Sequence, residues 1–352
     1  METTLRTIFI FIATTICLQI VGCGHTANVN KNAPIPSLIG GKIIRYNPAL
    51  EAIIPSNTPI ELLSQGHGWT EGPVWVTNKN HLLFSQPREN QLYVWSPELG
   101  VDLFLDPSGL PDPNPELFRA PGINGSFISP DGTLISADQG HRAIVAINTN
   151  SGERVILATH YDGKRLNGPN DLVVSRSGAV YFTDPGSALV GGKNSPLREL
   201  SYNGVYRLDT NGTVSLISNS IESPNGIALS PDEHTLYVAN AQARNAVWMA
   251  LDLNDNGDKI GDPRVFYSLQ EQKNAGLPGL PDGLAVDNKG NIFATGPGGV
   301  YVINPSGKLL GFIDKNDKTS NCAFGGTDGR TLFITSNGVL SQVRTTTTGL
   351  NF

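Results

Sequence analysis

The chain has 352 residues, a formal net charge of −6 and a charged fraction of only 16%. That length would hold two average domains, but a repeated all-β architecture runs this long as one. The acid excess and the lack of any basic run exclude binding to nucleic acid or anionic lipid through a charged surface, while 39 Gly and 24 Pro suit a packed body rich in turns.

Residues 1–22 read as an export signal. Met1 to Thr7 carries one Arg and one Glu, and residues 8–21 are mostly apolar, a run too short to span a bilayer comfortably. It ends Ile20-Val21-Gly22-Cys23, which is similar to the lipobox of bacterial lipoprotein signals. Cys23 is therefore expected to carry a lipid, the chain's only link to a membrane, at the periplasmic or envelope face of a bacterium. An ordinary secretory signal with an incidental Cys is the alternative. Cys17 leaves with the leader, so Cys322 has no partner for a disulfide and reads as a small buried hydrophobe.

Residues 23–41 are polar, contain Pro and show no periodicity, as expected of a flexible tether spanning on the order of 20–25 Å. From residue 42 to 352 the chain reads as one domain. Two short apolar runs in 42–55 are expected to pack on its outside. A strand at 60–63 is expected to join the last repeat and close the fold without an open sheet edge.

The organising unit is clearest at residues 280–311. Three short apolar runs are separated by turns, the pattern of an antiparallel meander, and Asp282 stands just before the first run. The same unit opens at Glu71, Asn124, Asn170, Asn225 and Asn321. Six copies at a period of about forty to sixty residues, several strands each, predict an all-β, six-bladed β-propeller. Two long loops, 106–121 and 186–201, are expected to overhang one mouth of the ring.

Singly, an Asn-Gly or Asp-Gly pair is a hairpin-turn signal. As a set, the six residues would line one end of the central channel. Carboxylates and amide oxygens without His or Cys suit a hard divalent cation, calcium first, with magnesium or zinc as alternatives. Other motifs fall short. Asp252-x-Asn254-x-Asn256-Gly257 begins like an EF-hand loop but reaches Pro263 where a Glu is needed. His67 reads as structural, whereas His141 is placed to reach the mouth. No nucleophile elbow or phosphate-binding Gly loop is present.

The segments EGPVW (71–75), GKRLNGPND (163–171), VYFTDP (180–185), SPNGIALSPDE (223–233), LPDG (280–283) and SNCAFG (320–325) resemble the gluconolactonase/regucalcin (senescence-marker protein) family, and most closely its exported bacterial gluconolactonases. The resemblance implies one divalent cation in the channel of a six-bladed ring. It places the family's metal-ligating Glu, Asn and Asp on Glu71, Asn225 and Asp282, and an Asn that contacts metal or substrate on Asn170. It implies hydrolysis of a sugar lactone such as D-glucono-1,5-lactone to the aldonic acid. Asp282 would move the proton, the cation would act as Lewis acid, and Asn124, Asn170 and His141 would contact the sugar. Three departures bear on the substrate. Gly168 stands where regucalcin-like members carry Arg, Asn124 is polar where they are apolar, and Asp184-Pro185-Gly186-Ser187 alters a loop over the mouth. A phosphotriesterase of the diisopropyl-fluorophosphatase type would share the same four residue types. A non-catalytic sugar- or calcium-binding propeller is the reading from a different class.

Overall fold

The computed structural model describes residues 40–350. The expected signal peptide 1–22, Cys23 and nearly all of the 23–41 tether lie outside the described residues, as do residues 351–352.

Six antiparallel sheets follow one another, each running from an innermost strand at the axis to an outermost strand at the rim. Blade one runs from Glu71–Val76 to Gly100–Leu105, and blade two from Ile123–Ile128 to Arg154–Ala158. Blade three runs from Leu172–Val174 to Val214–Ser218, and blade four from Pro224–Leu229 to Lys259–Ser268. Blade five spans Leu284–Val286 to Leu309–Asp314, and blade six Thr319–Gly325 to Val339–Arg344. This is the six-bladed propeller that the repeats predicted. Its meander at 280–311 has a fourth strand that the turn pattern did not delimit.

Ring closure follows the expectation and extends it. Ile60–Gln65 pairs antiparallel with Val339–Arg344 and becomes the outermost strand of blade six. Just before it, Lys42–Arg45 adds a fifth strand to blade five by pairing with Leu309–Asp314. Both strands cover edges that would otherwise offer unpaired backbone groups. Between them, the turn Pro48–Ala52 buries Leu50 completely.

The hydrophobic core lies between the blades, because each sheet has two apolar faces and, among the described residues, no helix layer covers either. Trp75, Phe84 and Trp95 of blade one pack with Phe333 and Leu340 of blade six, and Trp75 stacks on Phe333 at 5.4 Å between centroids. First and last blades are thus joined by side chains as well as by a strand. The five other seams hold equivalent clusters, such as Val74, Leu83, Ile123 and Val145 between blades one and two.

Each innermost strand begins at the same end of the ring, called the upper end below. Loops 106–121 and 186–201 both lie there, as expected. They are also tied to each other: Phe118 bridges Leu189, the Arg119 N–H donates to the Ala188 carbonyl (2.7 Å), and the Val190 N–H donates to that of Leu117 (2.9 Å). Among the described residues the single α-helix, Gln270–Asn274, is one turn between blades four and five.

Candidate metal centre at the upper end of the channel

Glu71, Asn124, Asn170, Asn225, Asp282 and Asn321 all sit just before an innermost strand or within its first three residues. The residue that follows four of them is Gly, and its role is not a hairpin turn. A Cβ on Gly72 would come within 2.1 Å of the Asn124 carbonyl oxygen in blade two. One on Gly226 would come within 2.2 Å of the Asp282 carbonyl oxygen in blade five. Only a residue without a side chain lets neighbouring innermost strands approach this closely. The X-Gly pairs therefore tighten the ring and bring their acids and amides toward the axis.

Burial and mutual repulsion dominate the electrostatics. Glu71 is only 4% exposed, and its carboxyl is pushed up to about 7 by burial, with the Asp171 charge adding to it. Trp69 works against this by donating its indole N–H to Glu71 Oε1 at 2.9 Å. Asp171, 7% exposed, is also pushed up to about 7 by burial. Asp282 keeps part of its surface open. Even so, desolvation and then the charges of Glu71 and Asp171 hold its carboxyl well above the usual carboxylate range. The Gly283 N–H and the Asn225 side chain favour its charged form. Three carboxylates therefore share one enclosed space. Among the described residues none of them makes an ion pair with Lys, Arg or His, and no cation is among the groups that perturb them.

That imbalance fits a cation. Among the described residues no three His, Cys, Asp and Glu side chains form a metal cage by themselves, so amide oxygens have to complete the set. The carboxylates of Glu71 and Asp282 and the Asn225 side-chain amide that bonds Asp282 are hard oxygen donors of the kind that calcium takes, and Asn170 stands just before the innermost strand of blade three. Asn170 and Asn124 are 5% and 6% exposed. Their backbone carbonyl oxygens, not their side chains, accept bonds from neighbouring strands, from the Gly125 N–H at 2.8 Å and from Ser85 Oγ at 3.0 Å.

Not every expectation on the candidate residues carries into this arrangement. The ring of His141 bonds within its own blade, with Nδ1 at 2.8 Å from Asp138 Oδ2 and 3.3 Å from Nη1 of Arg154 on the outermost strand, while its backbone carbonyl accepts from the Arg165 guanidinium at 2.7 Å. None runs to the group around Glu71, so the contact with sugar expected of His141 is not supported by its position. Asn321 reaches the site, but its Oδ1 accepts from the Cys322 N–H at 2.8 Å and only its NH2 faces the carboxylates. It is a donor, not a sixth oxygen ligand. His67 is structural as expected, held between Ser64 Oγ (2.7 Å) and Gln86 Nε2 (3.2 Å). The Asp252–Gly257 motif is a hairpin turn. Asn254 Oδ1 accepts from the N–H groups of Asn256 and Asp258, and the Arg207 guanidinium donates to the Asn256 carbonyl. Cys322 is 3% exposed, its thiol is raised by burial and its Sγ donates to the Phe293 carbonyl, all as expected of a buried hydrophobe.

Two residues at the site were missed from the sequence. Asp171 left a trace, since in blade three an acid replaces the Gly that follows four of the other candidates. Trp69 left none, because its indole acts on Glu71 only once the strand entry is folded. The guanidinium of Arg88 lies 5.3 Å above its ring.

A closed six-bladed ring with uncompensated carboxylates gathered at one end of its channel defines a propeller with a polar, acidic channel mouth. Comparison with known proteins gives its family: the chain belongs to the SMP-30/gluconolactonase/LRE-like family, whose pattern matches residues 69–338. It is 44% identical to a gluconolactonase of Zymomonas mobilis over 341 residues, which cover 96% of this chain and 94% of that one. Among solved structures, a gluconolactonase of Xanthomonas campestris superposes with a TM-score of 0.75 at 30% identity, over 89% of this chain and 98% of the other. A calcium-binding regucalcin of Agrobacterium tumefaciens, 20% identical, shares the fold with a TM-score of 0.64 over 82% of this chain and 94% of that one.

Proposed function

We propose that this protein is a lactonase that opens a sugar lactone of the D-glucono-1,5-lactone type to its aldonic acid, with calcium held by Glu71, Asp282, Asn225 and Asn170. The observation that carries this reading is the enclosure of Glu71 and Asp282 with no counter-charge among the described residues. Similarity to the gluconolactonases supports the substrate class. The bound cation would supply a Lewis acid for the ring carbonyl and its developing oxyanion.

The chain's own residues do the rest. Asp282, open on one side, accepts a proton as the oxygen of a water forms its bond to the carbonyl carbon. It returns that proton to the ring oxygen as the carbon–oxygen bond of the ester breaks, so no net proton is lost in forming the acid. Asn225 donates to Asp282 and keeps its carboxylate aimed. Trp69 does the same for Glu71. Asn124 and Asn170 offer amides to the sugar hydroxyls, and the tied loops 106–121 and 186–201 wall the mouth on one side. The N-terminal leader supports export and attachment to the bacterial envelope through a lipid on Cys23.

The test is base uptake at constant pH on glucono-1,5-lactone, with and without chelator. Calcium-dependent turnover is expected. Calcium binding with no turnover of any lactone would leave a binding protein, and turnover of fluorophosphates in place of lactones would move the reading to a phosphotriesterase.

A further inference from the structure

Below the candidate centre the channel opens again. A cavity of about 920 Å³ runs from the far end of the ring upward, walled by the innermost strands of all six blades. Its lining includes Asp171 and Asn321 but none of Glu71, Asn170, Asn225 or Asp282. The two residues thus stand on the boundary between the cavity and the carboxylate group above. They come from blades three and six, which face each other across the axis. Asn321 Nδ2 nevertheless donates to Asp171 Oδ2 at 3.3 Å, a hydrogen bond that spans the channel between residues 150 apart in sequence.

Both ends of this bond are fixed. Asp171 Oδ1 accepts from the Leu172 N–H at 2.9 Å, and Asn321 Oδ1 from the Cys322 N–H at 2.8 Å. Neighbouring blades press on each end as well. A Cβ on Gly125 would meet Asp171 Oδ1 at 2.0 Å, and one on Gly283 would meet the Asn321 amide at 2.0 Å. Asn321 also acts on Glu71 and favours its charged form.

From this geometry we infer that Asp171 and Asn321 form a strut across the channel axis that floors the cation basin, holds Glu71 in its binding position and separates the basin from the cavity below. They are positioning residues and touch neither substrate nor ion. Removal of an outer partner of a metal-ligating carboxylate costs about ten- to a hundredfold in metal affinity. The inference rests on the cation reading above, and its test keeps the two apart.

Calcium affinity of the chelator-stripped full chain is measured by calorimetry for the wild type, Asn321→Leu and the exchanged pair Asp171→Asn with Asn321→Asp. The exchanged pair keeps an amide-to-carboxylate bond across the axis with donor and acceptor reversed. Asn321→Leu is expected to weaken calcium binding by about ten- to a hundredfold, and the exchanged pair, which restores the bond across the axis but not the amide donor to Glu71, to bind at least about threefold more tightly than Asn321→Leu. Affinity within twofold of the wild type in Asn321→Leu, or no recovery in the exchanged pair, overturns the strut. Should Asn321→Leu not fold, Asn321→Ser takes its place with the same expectation. A wild type that binds no calcium sinks the cation reading instead. The strut is then judged by thermal unfolding of Asp171→Asn, Asn321→Leu and their combination in chelator, where additive losses would overturn it.

Discussion

The two halves of the channel are walled by the same six strands, yet they differ in chemistry. At the upper end the strand starts carry Glu71, Asn124, Asn170, Asn225 and Asp282, with no counter-cation among the described residues. Lower down, the same strands present chiefly apolar side chains such as Val74, Ile128, Val173 and Ala285 to an open cavity. A strand changes face at every residue, so a few residues along its length are enough to pass from a polar basin to an apolar hollow. The comparison teaches that function in this ring is set by the first residue or two of each innermost strand. The rest of the strand serves the seams between blades.

The largest effect should come from emptying the upper end. Asp282→Ala and Glu71→Gln are each expected to lower kcat/KM for lactone hydrolysis by about a hundredfold or more. In the lower cavity, Ala285→Ser should stay within about twofold of the wild type. Equal losses at both ends would erase the distinction. Next comes the seam that both halves share. Phe333→Ala removes the ring stacked on Trp75 and should cost about 3–5 kcal/mol of stability, read by denaturant unfolding.

A third measurement uses pH to separate basin from body. Glu71 and Asp171 are raised to about 7 in the folded protein, above their ordinary values of 4.5 and 3.8. The native state therefore binds more protons than the unfolded chain between about pH 4 and 7. Their contribution to stability is present at low pH and lost as pH rises through 7. In chelator, Tm should accordingly decline from pH 5 to pH 8 as far as these groups control it. Added calcium, which needs the charged forms, should raise Tm by several degrees at pH 8 and by less at pH 5. An equal calcium effect at both values would mean that the ion does not use Glu71. The smallest effect is expected at His141. Its ring binds Asp138 away from the basin, so His141→Ala should change kcat/KM by less than about threefold while costing about 1 kcal/mol of stability.

Much of this was legible in the chain. The repeat spacing singled out Glu71, Asn225 and Asp282, because a propeller reuses one strand position in every blade and periodicity reports that position directly. Residues 60–63 could be read as a closing strand because an unpaired last blade would leave an exposed edge. His141 shows where the reading of a sequence stops. Its position after the second strand of blade two puts it at the correct end of the ring, but sequence does not report the radial direction in which its side chain turns. Asn321 shows the same limit at atomic scale, since an amide carries a donor and an acceptor, and only its neighbours decide which one faces the axis.

What the sequence by itself determined was the number of blades, the end of the ring that carries the polar residues and the family to which the chain belongs, because each of these repeats along the chain or is written in contiguous segments. Only the tertiary structure decided that Asp171 joins the carboxylates and that Trp69 and Asn321 are donors to them. Those facts depend on contacts between blades far apart in the chain, such as the bond between Asp171 and Asn321, 150 positions apart, and on burial that removes water from charges which, in an open chain, would never meet.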